Sequence, residues 1–312
     1  MKTLKLVEKS KIWFGIAIVL LVVSLGSLMI RGLDFGIDFQ GGTIITIDLH
    51  TQFNTDDIRK ITDEIDKTAD ITYAGDAQEQ VVISTKESLD TAQRKALFEE
   101  FKSAYGLEES DLISADSVTA TVGSETARNA VIAAAVAVVL MLIYITFRFE
   151  FFFGLSAVIA LIFDITMVIG VYALLQIQVN GPFIAAILTI LGYSINDTIV
   201  VFDRIRENEK LLGMKDIDGL VDTSITQTLR RSLYTVITTL LAILALYILG
   251  VDAIRNFALP LIVGIVSGCY SSIFVASPLW VLFQKKFPNS KRNKKLNKGK
   301  GRRRTQQTKI EV

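Results

Sequence analysis

Six apolar runs set the fold class of this chain. They fall at residues 12–30, 130–147, 151–175, 183–202, 233–249 and 257–283. Each is close to the roughly 20 helical residues that cross a hydrocarbon core. Hydrophobic residues make up 51% of the 312 and the mean hydropathy is +0.45, far above an ordinary soluble protein. The first run follows Lys2, Lys5, Lys9 and Lys11 and so resembles a secretory signal. It exceeds the 7–15 residues of a signal core, and Ser24-Leu25-Gly26 is a poor cleavage site, so it reads as an uncleaved anchor. The expectation is a polytopic α-helical membrane protein with six transmembrane helices.

Charge orients the spans. The net charge of +1 hides 20 acidic against 8 basic residues between positions 31 and 125, and 12 basic against one acidic from 284 to 312. Short Lys/Arg-rich segments stay on the cytoplasmic side. The Lys-rich N-terminus, Arg148, the segment carrying Arg204, Arg206, Lys210, Lys215, Arg230 and Arg231, and the tail therefore lie inside. The resulting division is a cytoplasmic N-terminus (1–11), a first span (12–30), an extracytoplasmic domain (31–125), and five further spans (126–283). A cytoplasmic loop is expected at about 204–230, and the tail 284–312 reads as basic and disordered. Without aromatic interleaving, that tail suits an anionic lipid surface rather than nucleic acid, at about 1 kcal/mol per cation.

The segment between the first two spans has its own pattern. Residues 43–49 alternate as a strand. Residues 54–69 place Ile58, Ile61 and Ile65 at helical spacing behind Asn54 or Thr55 as cap. Short strands at 70–74 and 80–85 flank a Gly75-Asp76 turn, a second helix covers 88–105 and stops at Gly106, and a last strand covers 112–122. The order βαββαβ is the ferredoxin-like α+β arrangement. The stretch Gly36-Ile37-Asp38-Phe39-Gln40-Gly41-Gly42 joins it to the first span. Adjacent glycines there serve either a tight entry turn or a hinge, with Gly36, Asp38, Gly41 and Gly42 as hinge candidates.

One cysteine, Cys269, and one histidine, His50, exclude a zinc cluster, an internal disulfide and a His-based triad. No P-loop occurs. No catalytic residue, metal ligand or cofactor site is expected, and Cys269 reads as a small packing residue. Gly264 and Gly268 fit a GxxxG helix contact.

Asp197 interrupts the fourth run, with Ile199-Val200-Val201-Phe202 beyond it. A carboxylate at such depth costs about 2.5–3.5 kcal/mol on insertion scales and marks an ion or proton path by default. Thr189, Tyr193, Asn196 and Asp197 form one polar stripe, and Arg231, Thr235, Thr238 and Thr239 form another at the start of the fifth span. Facing stripes would bring Arg231 to Asp197. Desolvation favours a protonated carboxyl and a nearby guanidinium the charged form, so movement of Arg231 would switch Asp197 between holding and releasing a proton. Asp164, in the third span, is a second intramembrane carboxylate, secondary on a proton path or in helix packing. Asn196 and Asp203 are secondary candidates, although Asp203, Arg204, Arg206 and Glu207 also read as a solvated helix end. Arg230 reads as an interfacial anchor.

Three stretches carry a resemblance: DFGIDFQGG after the first span, GYSINDTIVVFDRIREN in the fourth and TLRRSLYTV opening the fifth. With the outer domain and six spans, the chain resembles the smaller members of the SecD/SecF protein-export family. That resemblance implies kinship with resistance–nodulation–division transporters and partnership with SecD and the SecYEG channel. It also implies use of the proton motive force to finish export of precursor polypeptides that ATP-driven SecA has begun to push. It places the family's essential aspartate on Asp197 and a functional arginine and threonine on Arg231 and Thr235. A half of a small-molecule exporter and a non-transporting scaffold are the alternatives.

Overall fold

The computed structural model describes residues 3–75, 78–250 and 252–287. Asp76 of the expected turn and all but the first residues of the basic tail lie outside them. Helix α1 (Ser10–Arg31) ends at Gly32, whose φ of +67° continues no helix. After it come β1 (Asp34–Phe35), a single helical turn α2 (Ile37–Gln40) and β2 (Gly42–Asp48). Next follow α3 (Thr55–Thr62), β3 (Asp70–Ala74), β4 (Gln80–Thr85), α4 (Thr91–Tyr105) and β5 (Leu112–Val118). The remainder is α5 (Ala120–Arg148), α6 (Phe151–Leu175), β6 (Gln178–Val179), α7 (Gly181–Leu212) and α8 (Ile217–Leu249). Helix α9 (Asp252–Ser271) passes through a π-helical turn, Ser272–Ala276, into α10 (Ser277–Lys286).

Four strands form one sheet in the order β3-β4-β2-β5, every neighbour antiparallel. Alternation decides its buried face: Ile45, Ile47, Val81 and Ile83 point inward against Ile58 of α3 and Leu97, Phe98 and Phe101 of α4. Each large apolar side chain so buried contributes about 1.5–3 kcal/mol. Asp90 and Gln93 form a reciprocal capping box that starts α4, and Gly106 (φ +71°) ends it. The cap sets that start three residues beyond Ser88. Helix α3 stops at Thr62 and does not reach Ala69. Asp66 instead builds a turn, accepting from the Thr68 amide at 2.7 Å and the Thr85 hydroxyl at 2.8 Å. The last strand ends at Val118, because α5 starts at Ala120, well before its apolar run.

Six helices are long and apolar enough to cross a membrane, which makes this a multi-pass membrane protein. Helices α6, α7 and α9–α10 form its inner layer, around Trp280 stacked on Phe153 (centroids 4.6 Å apart) and Phe202 (4.7 Å from Phe153). Gly264 and Gly268 permit the close approach of α9 to α7. A Cβ on Gly264 would lie 2.4 Å from Ile190, and one on Gly268 would lie 3.1 Å from Ser194.

The loop expected at about 204–230 is almost wholly helical. Helix α7 runs on to Leu212, and α8 begins at Ile217 with the Asp216 side chain accepting from the Gly219 amide. Polar residues support this hairpin from within. Asn208 donates to Ser224 (2.9 Å) and Gln227 (2.8 Å), and Arg204 pairs with Glu207 at 2.6 Å. The N-terminal segment straps the hairpin: Asp222 accepts from the Leu6 and Val7 amides at 2.9 and 2.8 Å.

Candidate functional site

Asp197 lies halfway along α7, on the side facing α8. Its Oδ1 accepts a 2.5 Å hydrogen bond from the Ser232 hydroxyl of α8. Its Oδ2 has no hydrogen-bond partner among the described residues. The Ser272 hydroxyl faces the same carboxylate and is engaged with Thr198 at 2.8 Å. A pocket of about 90 Å³ opens beside it, lined by Asn196, Asp197, Arg231, Ser232, Thr235 and Cys269 among others. That volume has room for a few water molecules. The two polar stripes meet at this pocket, where Tyr193, Asn196 and Asp197 of α7 share a lining with Arg231 and Thr235 of α8.

The threonines play a narrower part than their spacing suggests. Thr235 donates to the Arg231 carbonyl at 3.0 Å, and Thr238 and Thr239 likewise donate back to their own helix. Thr239 approaches the Tyr193 hydroxyl at 3.5 Å. Thr189 donates to the Ala185 carbonyl and does not line the pocket. Arg230 turns away from Asp197: its guanidinium sits 5.3 Å from the Tyr234 ring centroid and Nε donates to the Tyr234 hydroxyl.

Asp164 lies apart from this pocket, whereas Asp203 lines a neighbouring one of about 270 Å³ together with Val200 and Arg231, which also line the first. Asp164 is fully buried between three helices, its carboxylate accepting from Ser194 of α7 (2.5 Å) and from Ser267 and Ser271 of α9 (2.6 and 2.8 Å). Ser194 stands one turn before Asp197 and links the two carboxylates through α7. Asp203 lies 3.8 Å from Arg148 at the charged end of α7, beside Arg206, Glu207 and Lys210. The serines were not singled out by spacing. Ser267 and Ser271 recur four residues apart, and Ser232 follows Arg231, so that periodicity was the available signal.

The four hinge candidates form a packed joint. The Gly36 amide donates to the Val179 carbonyl at 2.8 Å, extending the parallel pairing of β1 with β6. Asp38 Oδ2 accepts from the Gly181 amide at 2.7 Å. Gly41 and Gly42 have φ of +83° and +149°. A Cβ on Gly42 would lie 2.1 Å from the Thr85 carbonyl oxygen, and one on Gly41 would lie 2.8 Å from that of Val118.

Comparison with known proteins gives one consistent answer. Residues 98–286 match the family "Protein export membrane protein SecD/SecF, C-terminal", and residues 26–52 match the "SecD/SecF GG Motif". The protein translocase subunit SecF of Sebaldella termitidis is 41% identical over 304 residues, covering 95% of this chain and 97% of that protein. The corresponding subunit of Acidaminococcus fermentans is 37% identical, covering 92% and 99%. Among solved structures, SecDF of Thermus thermophilus, a translocon-associated membrane protein, superposes with a TM-score of 0.77 at 37% identity. The match covers 91% of this chain and 39% of the SecDF chain, so the present chain spans well under half of that longer protein.

Proposed function

Because the chain belongs to the SecD/SecF family of protein-export membrane proteins, we propose that it is the SecF-type subunit of the Sec translocase accessory complex. With a SecD partner it draws on the proton motive force to complete export of precursor polypeptides through SecYEG, after SecA has driven the early stages. The relatives of nearly equal length, named as translocase subunits, support a transport role rather than catalysis. The sheet domain lies outside, with the termini, the α7–α8 turn and the basic tail inside, as the charge asymmetry requires. Its βαββαβ order and antiparallel sheet favour a ferredoxin-like fold, suited to contacting the emerging chain.

The observation that carries the mechanism is the Asp197 carboxylate, partly buried between α7 and α8 and held by one hydroxyl, with Arg231 beside it. Asp197 carries the proton. Arg231 favours its release when near, and Thr235 fixes that turn of α8 through the Arg231 carbonyl. Asn196 lines the same pocket, Asp203 sits toward the inner end of α7, and Asp164 supports the helix from its other side. Each proton crossing 100 mV supplies about 2.3 kcal/mol, the scale of a modest conformational bias.

Precursor export in cells that depend on this chain tests the reading, comparing wild type with Asp197→Asn, each with and without a protonophore. Export is expected to slow in the variant at unchanged protein level and SecD association, with little further loss from the protonophore. Wild-type export by Asp197→Asn would leave the scaffold reading in its place.

A further inference from the structure

The segment 34–42 is bound at both ends. On one side it holds the start of α7. Beta pairing joins Asp34 to Gln178 and Phe35 to Val179, and Asp38 accepts from the amide of Gly181, the first residue of α7. The first N–H groups of a helix have no partner inside it, and an anionic acceptor there is favoured by the helix dipole. Asn180 caps the same end, accepting from the Phe183 amide at 3.2 Å. On the other side, Gly42 is the first residue of β2, and Gly41 and Gly42 fit against Val118 and Thr85 with no space for a side chain. A Cβ on Gly123 of α5 would in turn lie 2.5 Å from the Phe39 carbonyl oxygen. Only residues 38–42 therefore separate the cap of α7 from the central strand of the sheet, and they have no slack.

Helix α7 also carries Asp197, 16 residues beyond Gly181 and so about 24 Å along the axis at 1.5 Å per residue. Among the described residues α7 is one unbroken helix from Gly181 through Asp197 to Leu212. We propose that Asp38 is a positioning residue that couples α7 to the sheet domain. Displacement of α7 accompanying a change at Asp197 passes through the Asp38–Gly181 bond to α2 and β2 and reorients the domain. The proposal rests on the assignment of Asp197 as the proton carrier.

The test uses the full complex with SecD in nanodiscs. One spin label sits on the sheet domain (position 95) and one at the end of α6 (position 175), both attached through a ketone-bearing unnatural amino acid so that Cys269, which lines the Asp197 pocket, stays unchanged. The distance distribution is compared between Asp197 and Asp197→Asn, the latter standing for the protonated group. With Asp38 intact, Asp197→Asn is expected to shift the distribution, and Asp38→Ala is expected to abolish that shift. Gly181→Pro provides the second variant. Proline is tolerated at the first helical position, and the extended backbone of Asn180 suits a following proline. It removes the amide that Asp38 binds and displaces the carboxylate from the start of α7 while keeping residue 38 an aspartate, so it must abolish the shift too, and it decides the matter if Asp38→Ala does not assemble. An undiminished shift in Asp38→Ala or Gly181→Pro would overturn the coupling. No shift even with Asp38 intact would instead sink the proton-carrier assignment beneath it.

Discussion

At the residue scale, two carboxylates inside the membrane bundle have opposite surroundings. Asp197 has one hydroxyl donor and a pocket beside it, so its charge can be altered without dismantling the bundle. Asp164 is enclosed, with three serine donors from two neighbouring helices. These contacts favour a packing role for Asp164 over a place on the proton path. An unmade bond to a buried polar group costs about 1–3 kcal/mol. Ser271 already shares its hydroxyl with the Gly268 carbonyl, so part of the cost of truncation is recovered. Asp164→Ala should therefore destabilise the bundle by about 3 kcal/mol, and Asp197→Ala by less. Thermal unfolding of both variants of the purified complex checks this. Equal melting of Asp164→Ala and wild type would remove the packing role.

At the element scale, some boundaries were legible in the sequence and others were decided by packing. Gly106 and the inward Ile45/Ile47 pattern are local signals, and both end or orient their elements as read. The charge of segment 204–230 predicts a solvated loop, whereas the segment is helical up to Leu212 and again from Ile217. Its polar residues pair across the α7–α8 hairpin, a contact that no single helix reveals. The serine cradle was hidden for the same reason, since a serine's partner depends on which helix faces it. His50 shows the limit most plainly. Given no role from sequence, it joins the end of β2 to the Glu109–Asp111 turn, with Nε2 3.0 Å from Asp111 Oδ1 and Nδ1 3.5 Å from Asp48. The hydrogen bond to Asp111, then the charge of Asp48, raises its pKa above the ordinary imidazole value of about 6.5. The charged imidazole therefore adds stability that is fully present below about pH 6.5 and lost as pH rises through the raised value. As the one histidine in the chain, its ring resonance can be followed by NMR without ambiguity. Asp111→Asn should move the midpoint down, and an unmoved midpoint would mean that the pair does not form in solution.

At the scale of the whole molecule, the bundle is lopsided in a way that bears on the site. The apolar window of the α9–α10 span is 61% buried, against 6% for those of α5 and α8. Lipid can cover Leu241 and Leu249 of α8 at no cost. It cannot do so for Arg231 and Thr235, which are exposed on the same helix and line the Asp197 pocket, with Thr238 exposed one turn beyond Thr235. Intramembrane ionisable groups face protein or a water-filled cavity, because contact with hydrocarbon costs several kcal/mol. The proposed function predicts that SecD supplies the wall missing from this pocket, so that the site is completed only between the two chains. A photocrosslinking amino acid at position 238 should therefore capture SecD in membranes. The same probe at position 19, on the uniformly apolar exposed face of α1, should not. Strong capture from 238 together with weak capture from 19 would place SecD against the α7–α8 groove. Capture from 19 alone would leave Arg231 and Thr235 facing lipid, and would remove them from any path that a proton could follow.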